Sequence, residues 1–207
     1  MEVQKIMNKG KLIVFSAPSG CGKGTMLAEI TKDKNYRCSI SATTRNPRPE
    51  DKEGVTYYFI SNDEFEEKIQ RSEFLEYAGY CDHYYGTLLS EVDPYLEKGI
   101  NVILEIEVEG AMKVKAKRPD ALMIFIAPPS INELRRRLHK RGTESDDVIE
   151  QRIEKAAGEI AASIKYDYII VNDALEDAVE DFFLVMSAEK LKAENSHELI
   201  GEILDKK

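Results

Sequence analysis

Residues 11–25 read KLIVFSAPSGCGKGT. Lys11–Ser16 is apolar enough for a buried strand, and a helix pattern from about Gly24 to Asp33 follows it. The turn between them gathers Gly20, Gly22 and Gly24 around Lys23. Ala17–Thr25 approximates the phosphate-binding pattern G-x-x-x-x-G-K-[ST]. A phosphate chain needs backbone amides that converge on it, hence glycine-like angles and no side chain in the way. The following helix adds its N-terminal amides and the positive end of its dipole. Lys23 supplies a mobile cation for the β- and γ-phosphates.

Two positions depart from that pattern. Ala17 replaces the first glycine, and Gly24 stands where a magnesium-binding Ser or Thr is expected, with Thr25 one place late. Magnesium is therefore expected to be held through phosphates and water, with no protein metal site. The dinucleotide fingerprint G-x-G-x-x-G fits worse, because Gly20–Cys21–Gly22 is followed by Thr25 and the lysine has no role there.

Working outward, the 207 residues are 43% hydrophobic and 32% charged, a soluble globular profile. No apolar run approaches the roughly 18 residues of a membrane span. The start, MEVQKIMNKGKLIVF, has no signal-peptide pattern, so a cytoplasmic protein is expected. Cys21, Cys38 and Cys81, and the three histidines, have no metal-ligand spacing. A net charge of −9 argues against a nucleic-acid binder. An anionic substrate would instead require cations focused locally. Cys21, inside the loop, is a candidate for thiol oxidation.

Further along, RCSISAT reads as a short second strand and TTRNPRPEDKEG as a polar, proline-rich loop. Ser61 with Glu64 and Ser130 with Glu133 are capping boxes opening helices. EVDPYLEKG reads as a helix closed by Gly99, and INVILEIEV, ALMIFIA and YDYIIVND as strands. A polar turn leads into a long helix over TESDDVIEQRIEKAAGEIAASI, and a last helix begins near Ala174, fraying after about Glu194. Strands alternating with helices predict an α/β fold, a parallel sheet with helices on both faces.

The chain resembles the guanylate kinase family from about Gly10 to Glu189, through SAPSGCGKGT, SATTRNPRPEDKEGVTYYF, EFLEYAGYCDHYYGT, VILEIEVEGA, IFIAPPS, RLHKRGTES and IIVND. Members transfer a phosphoryl group from ATP to GMP. The resemblance implies a P-loop nucleoside monophosphate kinase fold. Residues 1–40, 91–136 and 165–207 would form the core, 41–90 a small α+β GMP-binding insert, and 137–164 a helical lid. It implies ATP and Mg2+ as co-substrate and cofactor, with GMP and ATP as the small-molecule partners. No nucleic acid or membrane partner is expected; monomer and homodimer both stay open.

The same resemblance distributes the site residues. Ala17, Pro18, Ser19, Gly20, Cys21, Gly22, Lys23, Gly24, Thr25 and Asn172 fall to ATP. Ser41, Arg45, Arg48, Tyr57, Glu76, Tyr85, Thr87, Glu105 and Glu107 fall to GMP. Lys23, Arg45 and the lid arginines Arg137, Arg141 and Arg152 would carry catalysis. The chemistry agrees: forked guanidiniums suit a dianionic monophosphate, and tyrosine hydroxyls add donors. An ionised Glu76 accepts both N1–H and the 2-amino group of guanine, whereas adenine offers it an acceptor. Thr87 can donate to guanine O6. Glu105 and Glu107 are expected to share one face of a strand by alternation. Arg137 and Arg141 lie four apart on a helix.

Two rivals stand beside this reading. A guanylate-kinase-like protein-binding scaffold is opposed by the intact loop and arginines. A kinase for another small phosphorylated acceptor is opposed by Glu76 with Thr87.

Overall fold

The computed structural model describes residues 9–80, 82–142, 145–193 and 197–205. Its centre is β1 (Leu12–Ser16), every residue of which is buried. Parallel neighbours are β7 (Asn101–Glu105) on one side and β8 (Leu122–Ala127) on the other. β2 (Tyr36–Cys38) and β9 (Tyr168–Val171) complete a five-stranded sheet in the order β2-β7-β1-β8-β9. Strands covered on both faces have no polar side to show, which is why LIVF, VIL and LMIFIA are continuous apolar runs.

One face is closed by α1 (Lys23–Ile30) and α7 (Leu175–Lys190), through Met26, Leu27, Ile30, Phe182 and Met186. The other is closed by α3 (Asp93–Glu97) and α4 (Val108–Lys117), through Leu96, Ala111 and Val114. Beyond the carboxyl ends of the strands, α5 (Ile131–Arg141) and α6 (Asp146–Ala162) pack together through Leu134, Leu138, Ile149 and Ile153.

A second sheet, ordered β4-β3-β6-β5, is built within residues 41–90 from β3 (Ser41–Thr43), β4 (Tyr58–Phe59), β5 (Phe74–Tyr80) and β6 (His83–Leu88). Its helix α2 (Asn62–Gln70) buries Phe65 between Phe74 and Tyr84, with ring centroids at 4.3 and 5.2 Å.

Several expectations need correcting. RCSISAT is not one strand: Tyr36–Cys38 joins the first sheet and Ser41–Thr43 the second, so the chain changes sheets at residues 39–40. The helix expected over EVDPYLEKG does form, as the short α3 with Gly99 at φ 78° just beyond its end, but a 3-10 turn, Leu89–Glu91, precedes it. Both predicted capping serines accept the amide three residues on, at 3.1 Å. Glu133, however, turns its carboxylate to Arg136 and Arg137, and Glu64 pairs with Lys68. The tail does not simply fray, because α8 spans His197–Asp205 with apolar residues at 199, 200, 203 and 204 on a helical period.

Candidate active site

The turn from β1 into α1 is shaped by two left-handed glycines, Gly20 (φ 97°) and Gly22 (φ 81°). Both are also forced by packing. A Cβ on Gly22 would lie 2.7 Å from Asn172 Nδ2, and one on Gly20 2.9 Å from Leu138 Cδ2. Asn172 is buried and donates from Nδ2 to the Cys21 carbonyl at 2.6 Å. The resemblance assigns Asn172 to ATP; its side chain clamps the loop that would carry the phosphates. The amides of Thr25 and Met26 both reach the Gly22 carbonyl, so the helix starts directly on the loop. The first-turn amides of Lys23 and Gly24 have no intrahelical partner and are available to an anion. Lys23 extends its ammonium to 3.5 Å from Glu105 Oε1.

Gly24 has no atom within 4 Å of where a Cβ would stand, and Thr25 beside it is exposed. Cys21 is the opposite: 0% exposed and packed among Leu134, Leu138, Ile153 and Ala156 of α5 and α6. Burial pushes its thiol up to about 12, against the pull of Arg137. The expected oxidation sensitivity of Cys21 is thereby corrected, because a buried thiol without thiolate character is unreactive.

A cavity of about 270 Å³ opens at the carboxyl end of the first sheet, facing the second. Lys23, Ser41, Tyr57, Glu105 and Glu107 line it, together with Ser39 and Thr56. Thus one predicted ATP residue and four predicted GMP residues meet in one space. Carboxyl ends of parallel strands are where open α/β sheets place ligands.

Glu105 and Glu107 reach the cavity by different routes. β7 ends at Glu105, while Glu107 is the residue capping α4, so strand alternation does not relate them. Glu105 faces Lys23, whereas both oxygens of Glu107 lie 3.1 Å from Lys155 on α6.

Arg45 is half-buried, 5.5 Å above the Tyr57 ring, which packs edge-on to Tyr85 at 5.9 Å. Its guanidinium donates to the Asn46 carbonyl at 2.8 Å and to Asp51 Oδ2 at 2.9 Å. The same carboxylate accepts the Arg48 amide at 2.7 Å, while the Arg48 side chain is exposed. The Arg48 amide and then Arg45 hold Asp51 below the usual carboxylate range, burial opposing them. Asp51 was missed in the sequence. The signal is Pro49 inside a four-residue turn closed by the Asp51 amide on the Arg48 carbonyl, at 3.0 Å.

Glu76 and Thr87 are adjacent across β5 and β6. Glu76 is 5% exposed, and Oε1 accepts both the Thr87 amide (3.1 Å) and the Thr87 hydroxyl (2.7 Å). Burial pushes its carboxyl up, and the two Thr87 donors, then Lys113 and Lys117, pull it back.

Of the predicted lid arginines, Arg137 and Arg152 are held by different partners. Arg137 donates to Glu133 (2.7 Å) and to the carbonyls of Asn172 (2.9 Å) and Asp173 (3.3 Å). Arg136 and then Arg137 hold the Glu133 carboxyl down at about 2. Arg152 lies 3.5 Å from the hydroxyl of Ser19 in the phosphate loop. The side chain of Arg141 lies outside the described residues, as do its predicted relations to the other two.

Comparison with known proteins agrees with this geometry. The family model described as Guanylate kinase matches residues 9–189. A guanylate kinase of Latilactobacillus sakei is 45% identical over 94% of this chain and 99% of its own. One of Streptococcus thermophilus is 52% identical over 90% of each. The crystal structure of guanylate kinase from Anaplasma phagocytophilum matches with a TM-score of 0.75 at 31% identity, covering 97% of this chain and 96% of that one. By motif, architecture and likeness, the chain belongs to the guanylate kinase family.

Proposed function

We propose that the protein transfers the γ-phosphoryl group of ATP to GMP, giving ADP and GDP. The observation that carries the reading is the shared cavity: the phosphate-loop lysine on one wall, Ser41 and Tyr57 of the second sheet on another. ATP would lie along the loop and the first turn of α1, with Lys23 on its terminal phosphates. The acceptor phosphate would meet Arg45, Arg48, Tyr57 and Tyr85. The base would meet Glu76 and Thr87, with Ser41 and Glu107 beside it.

In-line transfer needs no covalent intermediate and no strong general base; positioning and charge neutralisation supply the rate. Residues 41–90 would move as the acceptor-binding part. The α5–α6 pair would move as the lid, since a boundary at residue 137 cuts through α5. Closure would bring Arg137, Arg141 and Arg152 to the transferring group and expel water.

Magnesium fits the oxygen-rich mouth, because Glu105 is an exposed carboxylate beside Lys23 and Thr25 offers an exposed hydroxyl. Those two residues would hold its waters, and the ion would neutralise charge on the phosphates. Among the described residues no helix is long and apolar enough to cross a membrane, and we place the protein in the cytoplasm.

The test is a coupled ADP-release assay with ATP and magnesium across GMP, AMP, UMP, CMP and dTMP. Turnover with GMP far above the others is expected. GMP left unconverted refutes the assignment.

A further inference from the structure

The stretch Phe74–Glu76 does something unusual for a strand. Its register against β6 slips between Phe74, opposite Leu88, and Glu76, opposite Thr87, so Leu75 is an extra residue, a bulge. Three consecutive side chains then serve three places. Phe74 packs in the small core of the second sheet, Leu75 in the main core, and Glu76 is buried against Thr87. A bulge leaves backbone groups off the ladder, and these need other partners. They find them on α4: the Lys117 ammonium donates to the Leu75 carbonyl at 2.8 Å and the Phe74 carbonyl at 3.4 Å. One turn earlier, Lys113 donates to the Tyr77 carbonyl at 3.2 Å, though it is shared with Glu109 at 2.7 Å. Two turns earlier, Gly110 is buried, and a Cβ there would lie 3.1 Å from Glu76 Oε2.

We propose that α4 is the positioning element for base selection, with Lys117 pinning the bulge that presents Glu76 and Gly110 leaving room for its second oxygen. This rests on the reading of Glu76 as the guanine-recognising carboxylate. The effect is geometric first. A carboxylate that must accept two donors from one base edge tolerates only small displacement. It is electrostatic second. The groups facing Glu76 are Thr87 from β6 and the cations Lys113 and Lys117 from α4, which offset the burial that favours its protonated form.

The experiment compares wild type with Lys117→Ala, Lys117→Arg and Gly110→Ala, measuring KM for GMP and for ATP between pH 5 and 8. Lys117→Ala and Gly110→Ala are expected to raise KM for GMP about tenfold while KM for ATP stays within about twofold. Lys117→Arg, which keeps the charge and the donors, is expected to restore most of the loss. In Lys117→Ala, weakening of GMP on acidification should begin at higher pH than in wild type, since a cation stabilising ionised Glu76 is gone. A role limited to capping the exposed edge of β5 would move none of these GMP-specific readings. Unchanged KM for GMP in both Lys117→Ala and Gly110→Ala, or equal loss for GMP and ATP, overturns the inference. Wild type inactive on GMP overturns instead the function on which it rests. Should Lys117→Ala fail to fold, Lys117→Gln, which keeps a donor without the charge, is read against the same two outcomes.

Discussion

Replacing Gly22 by alanine tests whether the phosphate loop and the strand-end asparagine form one unit. Gly22 sits at φ 81°, and its new Cβ would lie 2.7 Å from Asn172 Nδ2. The left-handed angle alone costs a non-glycine residue roughly 1–2 kcal/mol. The methyl also displaces the Asn172 amide, breaking its 2.6 Å bond to the Cys21 carbonyl. Losing a buried hydrogen bond costs roughly 1–3 kcal/mol more. Gly22→Ala should therefore destabilise by about 2–5 kcal/mol, and Asn172→Ala by about 1–3 kcal/mol. In the double variant the clash has no partner and the bond is already lost. Its cost should match Gly22→Ala alone, falling short of the sum of the singles by about 1–3 kcal/mol. Urea denaturation of the four proteins measures this directly. The ATP KM of both singles should rise, because the Cys21 carbonyl no longer anchors the loop. Additive stabilities within about 0.5 kcal/mol refute the reasoning, since they would mean that the two residues do not share a contact.

Lys23→Ala should lower kcat by two to three orders of magnitude with the urea midpoint unchanged; near-normal turnover removes Lys23 from its role. Hydrogen peroxide at neutral pH should leave activity intact, because Cys21 is fully enclosed; inactivation that Cys21→Ser prevents would contradict the burial. Glu189 is 2% exposed and accepts from Lys11, Tyr168 and Lys192; burial opposes them, yet its carboxyl is held at about 2 against an ordinary 4.5. A depressed folded value means that stability is present above pH 4.5 and is lost as pH falls towards 2. The gap corresponds to roughly 3 kcal/mol, so Glu189→Gln should lose its stability deficit on acidification, and a deficit constant from pH 6 to 2 refutes the assignment.

The legible parts of this molecule were those whose cause is local. β1, β7 and β8 announce themselves because strands covered on both faces must be apolar throughout. The phosphate loop is visible because only glycine occupies its angles without strain. The switch of sheets at residues 39–40 was not visible, because CSISAT keeps one texture while its strand pairing passes from Ile103 to Thr87. Glu107 was misplaced for a similar reason: nothing in ILEIEV marks where the ladder to β1 stops and α4 begins. Asp51, Lys155 and Lys117 went unread as parts of the site because each matters through a partner, and two of those partners lie over 40 residues away.

Those partners also explain how a chain of net charge −9 keeps a cluster of cations in place before any nucleotide arrives. Arg45 is held by Asp51, Lys23 faces Glu105, Lys155 faces Glu107, and Arg137 is held by Glu133. Each cation is paired with a carboxylate of the same chain. Without those carboxylates, like charges gathered at the strand ends would repel one another and oppose folding. A phosphate entering this site would therefore join or exchange partners at these four cations. Its affinity is the difference between two ion-pair arrangements, smaller than the number of cations suggests. The same exchange would tie binding to movement, because Lys155 links α6 to Glu107 at the start of α4 and Arg137 links α5 to the Asn172 and Asp173 carbonyls after β9, so releasing those contacts would free the two helices to shift towards the loop. The acidic composition that argued against a polyanion partner thus includes the four carboxylates that would keep the proposed small-anion site stable when empty.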